Sequence, residues 1–164
     1  MLKYLKTGVV CTEIPNEISL AIAISGCQIR CPACNQRELW EDKGVPLTIE
    51  EVERLLQEQE GVTTLLLLGG ERDIDTLTRL FMHFHKKINT AWYCGLDMIP
   101  KDKKGILDYL DFLKLGHYDS ELGGLDSPTT NQRLYQYSAY YSGSAELGDG
   151  WKDITSKMLK PNKQ

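Results

Sequence analysis

The chain has no long hydrophobic run. Its longest, residues 65–68 and 20–24, are far too short to cross a bilayer as a helix. No apolar core of signal-peptide type follows Met1, so a cytoplasmic location is expected, with no membrane contact. Basic charge is not in excess. The net charge is −4 and the isoelectric point about 5.4, which argues against a general nucleic-acid binder, since such proteins carry a basic patch. Lysines do gather at Lys101, Lys103 and Lys104 and again over residues 152–163. No aromatics interleave them to stack bases, and they read as solvated charges. There is no internal repeat and no low-complexity segment. A complete set of internal disulfides is also excluded, because the cysteines number five.

What is present suits one globular domain. The chain has 164 residues, 41% of them hydrophobic and 26% charged, enough for a core and ordinary for a soluble protein. Residues 1–150 are expected to form that domain, with residues 151–164 as a polar, mobile tail.

Over residues 16–25, Ile18, Leu20, Ile22 and Ile24 alternate with Ser19, Ala21, Ala23 and Ser25. A period of two predicts a strand, and its small face suits close packing inside a curved sheet. Thr48 and Glu51 form a capping-box pair ahead of a helical stripe of Ile49, Val52, Leu55 and Leu56, closed by Gly61. Residues 63–68 are a continuous apolar run, as in a strand buried on both faces of a parallel sheet. Asp73 is placed to cap a second helix with the stripe Ile74, Leu77, Phe81, Phe84 and Ile88. Further strands are predicted over 90–93 and 112–115, with a weak helix over 105–109 between them. The tyrosine-rich segment 133–141 reads as an edge strand. Alternating strands and helices define an α/β protein with right-handed crossovers. About 100 residues for four units is too short for an eight-fold barrel. The expectation is a small, partial, open parallel β/α barrel of four to six strands.

Three of the cysteines crowd into eight residues. Cys27, Cys31 and Cys34 follow the first predicted strand with the spacing C-x3-C-x2-C, which in a reducing compartment points to a metal site. Pro32 stiffens the loop. A [4Fe–4S] cluster usually takes four thiolates, so three would leave one iron open to another ligand. The alternative is a structural zinc site. Such sites use paired ligands, whereas Cys11 and Cys94 stand alone and read as small buried residues. His83 and His85 are two apart on a helix, which splays them. Gly69, Gly70 and Glu71 follow the next strand and so share the face where ligands bind in parallel α/β folds. Two glycines there allow a ligand close to the backbone. On its own such a turn has no function assigned to it.

The cysteine spacing followed by a Gly-Gly-Glu turn resembles the radical S-adenosylmethionine (SAM) enzymes. Ser25 and Gly26 before Cys27, and Trp40 after the loop, resemble more narrowly the activating proteins of anaerobic ribonucleoside-triphosphate reductase. So does the segment 125–135, with its Thr130, Asn131, Gln132 and Arg133 run. The likeness covers most of residues 1–141. Two positions depart from it: Ala33 stands where many radical SAM enzymes have an aromatic, and Arg72 where a proline is usual.

The resemblance implies a fold of the radical SAM barrel type and a glycyl-radical activase. Cys27, Cys31 and Cys34 would ligate three irons of a [4Fe–4S] cluster, and SAM would chelate the fourth. Gly69, Gly70 and Glu71 would lie along its methionine end, with Ala33 and Asn35 near its adenine. Electrons would come from flavodoxin or ferredoxin. The radical so generated would take hydrogen from a glycine of the large reductase subunit, the implied partner. No catalytic acid or base beyond the cluster is required, matching the lack of a convincing His or carboxylate dyad. Two alternatives stay open: a radical SAM enzyme acting on another glycyl-radical protein or a small molecule, and a zinc-stabilised binding module. Tyr135, Tyr137, Tyr140 and Tyr141 read either as partner contacts or as cover for the core.

Overall fold

A computed structural model describes residues 1–159. Its centre comes from the segments whose periodicity is clearest. The alternating stretch forms β2 (Ser19–Ile24), the continuous apolar run β4 (Thr64–Leu68), and the next two strands β5 (Asn89–Tyr93) and β6 (Phe112–Leu115). These four lie parallel in the order β2-β4-β5-β6.

Helices α1 (Ile49–Gln57) and α2 (Ile74–Phe84) provide two of the crossovers. A 3-10 helix over Lys101–Tyr109 provides the third. Both α-helices start where a side chain caps them. Thr48 Oγ1 accepts from the Glu51 N–H at 3.2 Å, and Asp73 Oδ1 from the Thr76 N–H at 3.0 Å. The capping box is one-sided. Glu51 turns its carboxylate to Arg54 and the Tyr4 hydroxyl instead of its helix cap.

The flanks overturn the expected fold. β1 (Lys3–Val10) lies antiparallel to β2 and carries the two-residue β3 (Val45–Pro46) outside it. On the far side, β7 (Arg133–Tyr137) and β8 (Trp151–Asp153) continue the sheet antiparallel to β6. The result is one eight-stranded mixed sheet, β3-β1-β2-β4-β5-β6-β7-β8, with four of its seven pairings antiparallel. It is not an open parallel β/α barrel of four to six strands and not a radical SAM barrel. The reason lies in the connections. A parallel return needs a long crossover, and no α-helix joins β1 to β2, β6 to β7 or β7 to β8, so each of those returns is antiparallel.

Two further expectations change with it. β7 is an interior strand, not an edge, and Tyr135 on it is buried while Tyr140 beyond it is almost fully exposed. Trp151–Asp153, expected to open a mobile tail, is a strand, and Ile154 and Thr155 after it are buried. The last part of that predicted tail, 160–164, lies outside the described residues.

The pleat divides the core. Leu65, Leu67, Trp92, Leu113 and Leu115 face α1 and α2, against Val52, Leu55, Leu77, Phe81 and Phe84. Ala21, Leu66, Ala91, Phe112 and Leu134 face the other way, beneath Ile14 and Ile154. No helix among the described residues is long and apolar enough to cross a membrane.

Candidate metal centre

The four parallel strands end along one edge of the sheet, and each ends in a turn rich in glycine or cysteine: residues 25–36 after β2, 69–71 after β4, 94–95 after β5 and 116 after β6. Ser25 fixes the start of the first turn. Its Oγ donates to the Lys43 carbonyl at 2.6 Å and its N–H to the Lys3 carbonyl at 2.8 Å. Gly26 then turns the chain with φ +78°, in a space where a Cβ would stand 2.8 Å from Arg72 Nε. The N–H groups of Gly26 and Cys27 donate to the Glu41 and Leu39 carbonyls, at 3.1 and 2.9 Å. Those two bonds close the base of the cysteine loop.

Within the loop, Cys31 to Cys34 form a turn, the Cys34 N–H donating to the Cys31 carbonyl at 3.0 Å. The Gln36 N–H points at Cys34 Sγ at 3.4 Å, a donor suited to a thiolate. Arg37 donates to the Pro32 carbonyl at 2.7 Å. The guanidinium groups of Arg30 and Arg37 lie over the Trp40 ring, 5.9 and 5.4 Å from its centroid. A cleft of about 570 Å³ opens here, bounded by Cys27, Arg30, Arg37, Trp40, Asp42 and Arg72. Arg72 spans from the next turn to both carboxylate oxygens of Asp42, at 3.1 and 2.9 Å, and to the Met1 carbonyl. This holds Asp42's pKa below the usual carboxylate range.

The glycine turn adjoins the cysteine loop. Gly70 takes φ +89°, and a Cβ there would press on Ile24 and Leu77 at 3.0 and 3.1 Å, so the position requires glycine. Glu71 Oε1 accepts from the Gly95 N–H at 2.5 Å. Ile29 of the cysteine loop rests on the same glycine, its Cγ1 2.8 Å from where a Cβ would be. Gly95 is therefore where the cysteine loop and the Gly-Gly-Glu turn meet. Ala33 and Asn35 are exposed on the outer part of the loop and make no hydrogen bond to residues 69–71.

Cys27, Cys31 and Cys34 are free thiols of intermediate exposure. Among the described residues no three His, Cys, Asp or Glu side chains are drawn around one point as ligands of a single ion. Three soft sulfur donors on a loop closed at its base, with no disulfide to hold them, fit an iron–sulfur group. Cys94 is fully buried, as expected, and burial, reinforced by the Glu71 carboxylate, pushes its thiol well above the ordinary range. Cys11, expected to be buried, is exposed.

Lys114, Gly95 and Ile29 did not stand out in the sequence. Lys114 had a visible signal, a charge inside the apolar strand Phe112–Leu115. Burial lowers its pKa to about 8 against opposing pulls from Cys94, Glu71, Cys31 and Asp97. The Asn131 and Gln132 amides reach back to the His117 and Gly116 carbonyls, at 3.1 and 3.4 Å, and tie β7's approach to the end of β6.

An α/β sheet with three free thiols on one loop after a parallel strand belongs among metal-binding domains. The family is the 4Fe-4S single cluster domain, whose model matches residues 10–135, most of the chain, and the protein is a member of it. Its cofactor is an iron–sulfur cluster. No protein of curated function matches the chain.

Proposed function

We propose that the protein is a radical SAM activase that generates a glycyl radical on anaerobic ribonucleoside-triphosphate reductase. The mixed sheet lends this no support, since it lacks the parallel barrel that the resemblance implied. The support is local. One observation carries it: three free cysteines at C-x3-C-x2-C after β2 are joined through Gly95 to a Gly-Gly-Glu turn after the neighbouring parallel strand β4.

In this reading Cys27, Cys31 and Cys34 hold the cluster and leave one position open. The cluster, with SAM on its open iron, would supply reductive cleavage of the sulfonium bond and a radical able to take hydrogen from glycine. The chain's own residues bind and orient. Gly69 would lie along the methionine end with no side chain in its way, while Gly70, packed against Ile24 and Leu77, shapes the turn beside it. Glu71 spends Oε1 on Gly95, and its Oε2 accepts no hydrogen bond among the described residues, so it can receive an ammonium group. Ala33 and Asn35 would meet the adenine end from the outer loop. Ile29, packed on Gly95, screens the interior from water. The partners are the large reductase subunit and a flavodoxin or ferredoxin, in the cytoplasm.

Anaerobic reconstitution with iron and sulfide tests this. The expected product is a brown protein that, once reduced, cleaves SAM and, mixed with the reductase, gives a glycyl-radical signal in electron paramagnetic resonance. One equivalent of zinc with no iron, or iron-loaded protein inert towards SAM, overturns it. SAM cleavage without a signal on the reductase would instead favour another glycyl-radical protein or a small-molecule substrate.

A further inference from the structure

Lys114 is 8% exposed, and its ammonium makes one hydrogen bond, to the Gly116 carbonyl at 2.6 Å. An ammonium has three donors, so two are unspent. Among the described residues no carboxylate lies within ion-pair distance of it. Burying a charge without a partner is costly, and an unpaired cation inside a sheet is seldom a source of stability. Its surroundings are not neutral, however. Lys114 pairs in register with Tyr93, and its backbone carbonyl accepts from Cys94 N–H at 2.9 Å, which places it beside the end of β5. Gly95, the residue after Cys94, has Ile29 of the cysteine loop and the Glu71 carboxylate against it, so Lys114 lies beside the junction of the cysteine loop and the Gly-Gly-Glu turn. The charges acting on its ammonium include the acidic groups Cys94, Glu71, Cys31 and Asp97.

We propose that Lys114 is the counter-charge of the metal centre, a positioning residue that raises the reduction potential of a cluster held by Cys27, Cys31 and Cys34. This rests on the assignment of those cysteines as ligands. Reduction adds one electron, and hence one negative charge, to the cluster, the electron coming from a low-potential one-electron donor. A fixed positive charge close by, in a medium of low dielectric, favours the more negative state.

The test is a redox titration of reconstituted wild-type, Lys114→Met, Lys114→Gln and Lys114→Arg proteins, following the reduced cluster by electron paramagnetic resonance at matched iron content. Both neutral variants should be about tenfold harder to reduce, a fall of about 60 mV, while arginine stays near the wild type. Glutamine keeps a polar tip for the Gly116 carbonyl and serves if methionine disturbs folding. A loaded neutral variant that titrates with the wild type overturns the proposal. So does a folded pair of neutral variants that takes up no iron, which would make Lys114 a requirement for assembly. Wild-type protein that binds no iron removes the ligand assignment itself, and the iron analysis reads that outcome separately.

Discussion

The two edges of the parallel centre are built from similar backbone and finished in opposite ways. At the edge where the strands begin, Glu17 Oε2 accepts from the Thr63 and Thr64 hydroxyls, at 2.5 and 2.7 Å, and from the Asn89 amide at 3.2 Å. Beside it, Asp111 Oδ2 accepts from Thr90 N–H and Oγ1, and that hydroxyl also donates to the Tyr109 carbonyl. Each carboxylate there is occupied by neighbours. At the edge where the strands end, the thiols of Cys27, Cys31, Cys34 and Cys94 are all free, and among the described residues the buried Lys114 ammonium has no counter-ion. One edge satisfies itself. The other leaves free thiols and a buried ammonium that no side-chain partner among the described residues takes up, and that contrast marks it as the candidate functional face.

The contrast should break most completely at the cysteines. Replacing Cys31 with Ala should abolish cluster loading, seen as loss of iron and of visible absorbance, whereas Glu17→Gln at the other edge should keep both.

A second effect concerns acidity. Lys114 loses its proton near pH 8 in the folded protein and near pH 10.5 when unfolded. Between those values the unfolded chain binds more protons, so the stability of the apoprotein should rise with pH across that window. Urea titrations should show a gain of up to about 3 kcal/mol that Lys114→Met lacks, the variant being the more stable protein at neutral pH.

Gly95→Ala should come next. Its Cβ would collide with Ile29 and approach Glu71, so overpacking should cost about 1–3 kcal/mol and slow iron uptake by displacing the cysteine loop. Removing the Glu17 carboxylate as Ala leaves the buried Thr64 hydroxyl without its acceptor, whereas Thr63 and Asn89 are exposed and can turn to water. Thermal melts should show about 1–2 kcal/mol lost, with iron content unchanged.

The strand-beginning edge was silent in the sequence, because it is assembled from single Thr, Asn and Asp residues far apart along the chain. The parallel strands and both helices were legible, since burial on both faces leaves an apolar run or a small-and-large alternation, and a helical stripe leaves its own period. β1 was not. Its burial alternates only at its first residues, and Lys6 to Val9 are exposed, so backbone pairing with β2 is what makes it a strand. β7 and β8 are short and separated by irregular turns, and their joining of the sheet depends on partners rather than on local pattern. The cysteine spacing was plain. What could not be read was the depth of Lys114, because a lone lysine in a strand looks the same whether it points to water or to a buried centre.

The two hydrogen bonds at the base of the cysteine loop, Gly26 to Glu41 and Cys27 to Leu39, have an evolutionary consequence. They make residues 28–38 a detachable cassette whose interior can be rewritten while the sheet beneath keeps its registration. Grafting such a segment between related chains should therefore exchange properties of the centre without refolding the host, provided that a residue as small as Gly95 waits to receive it.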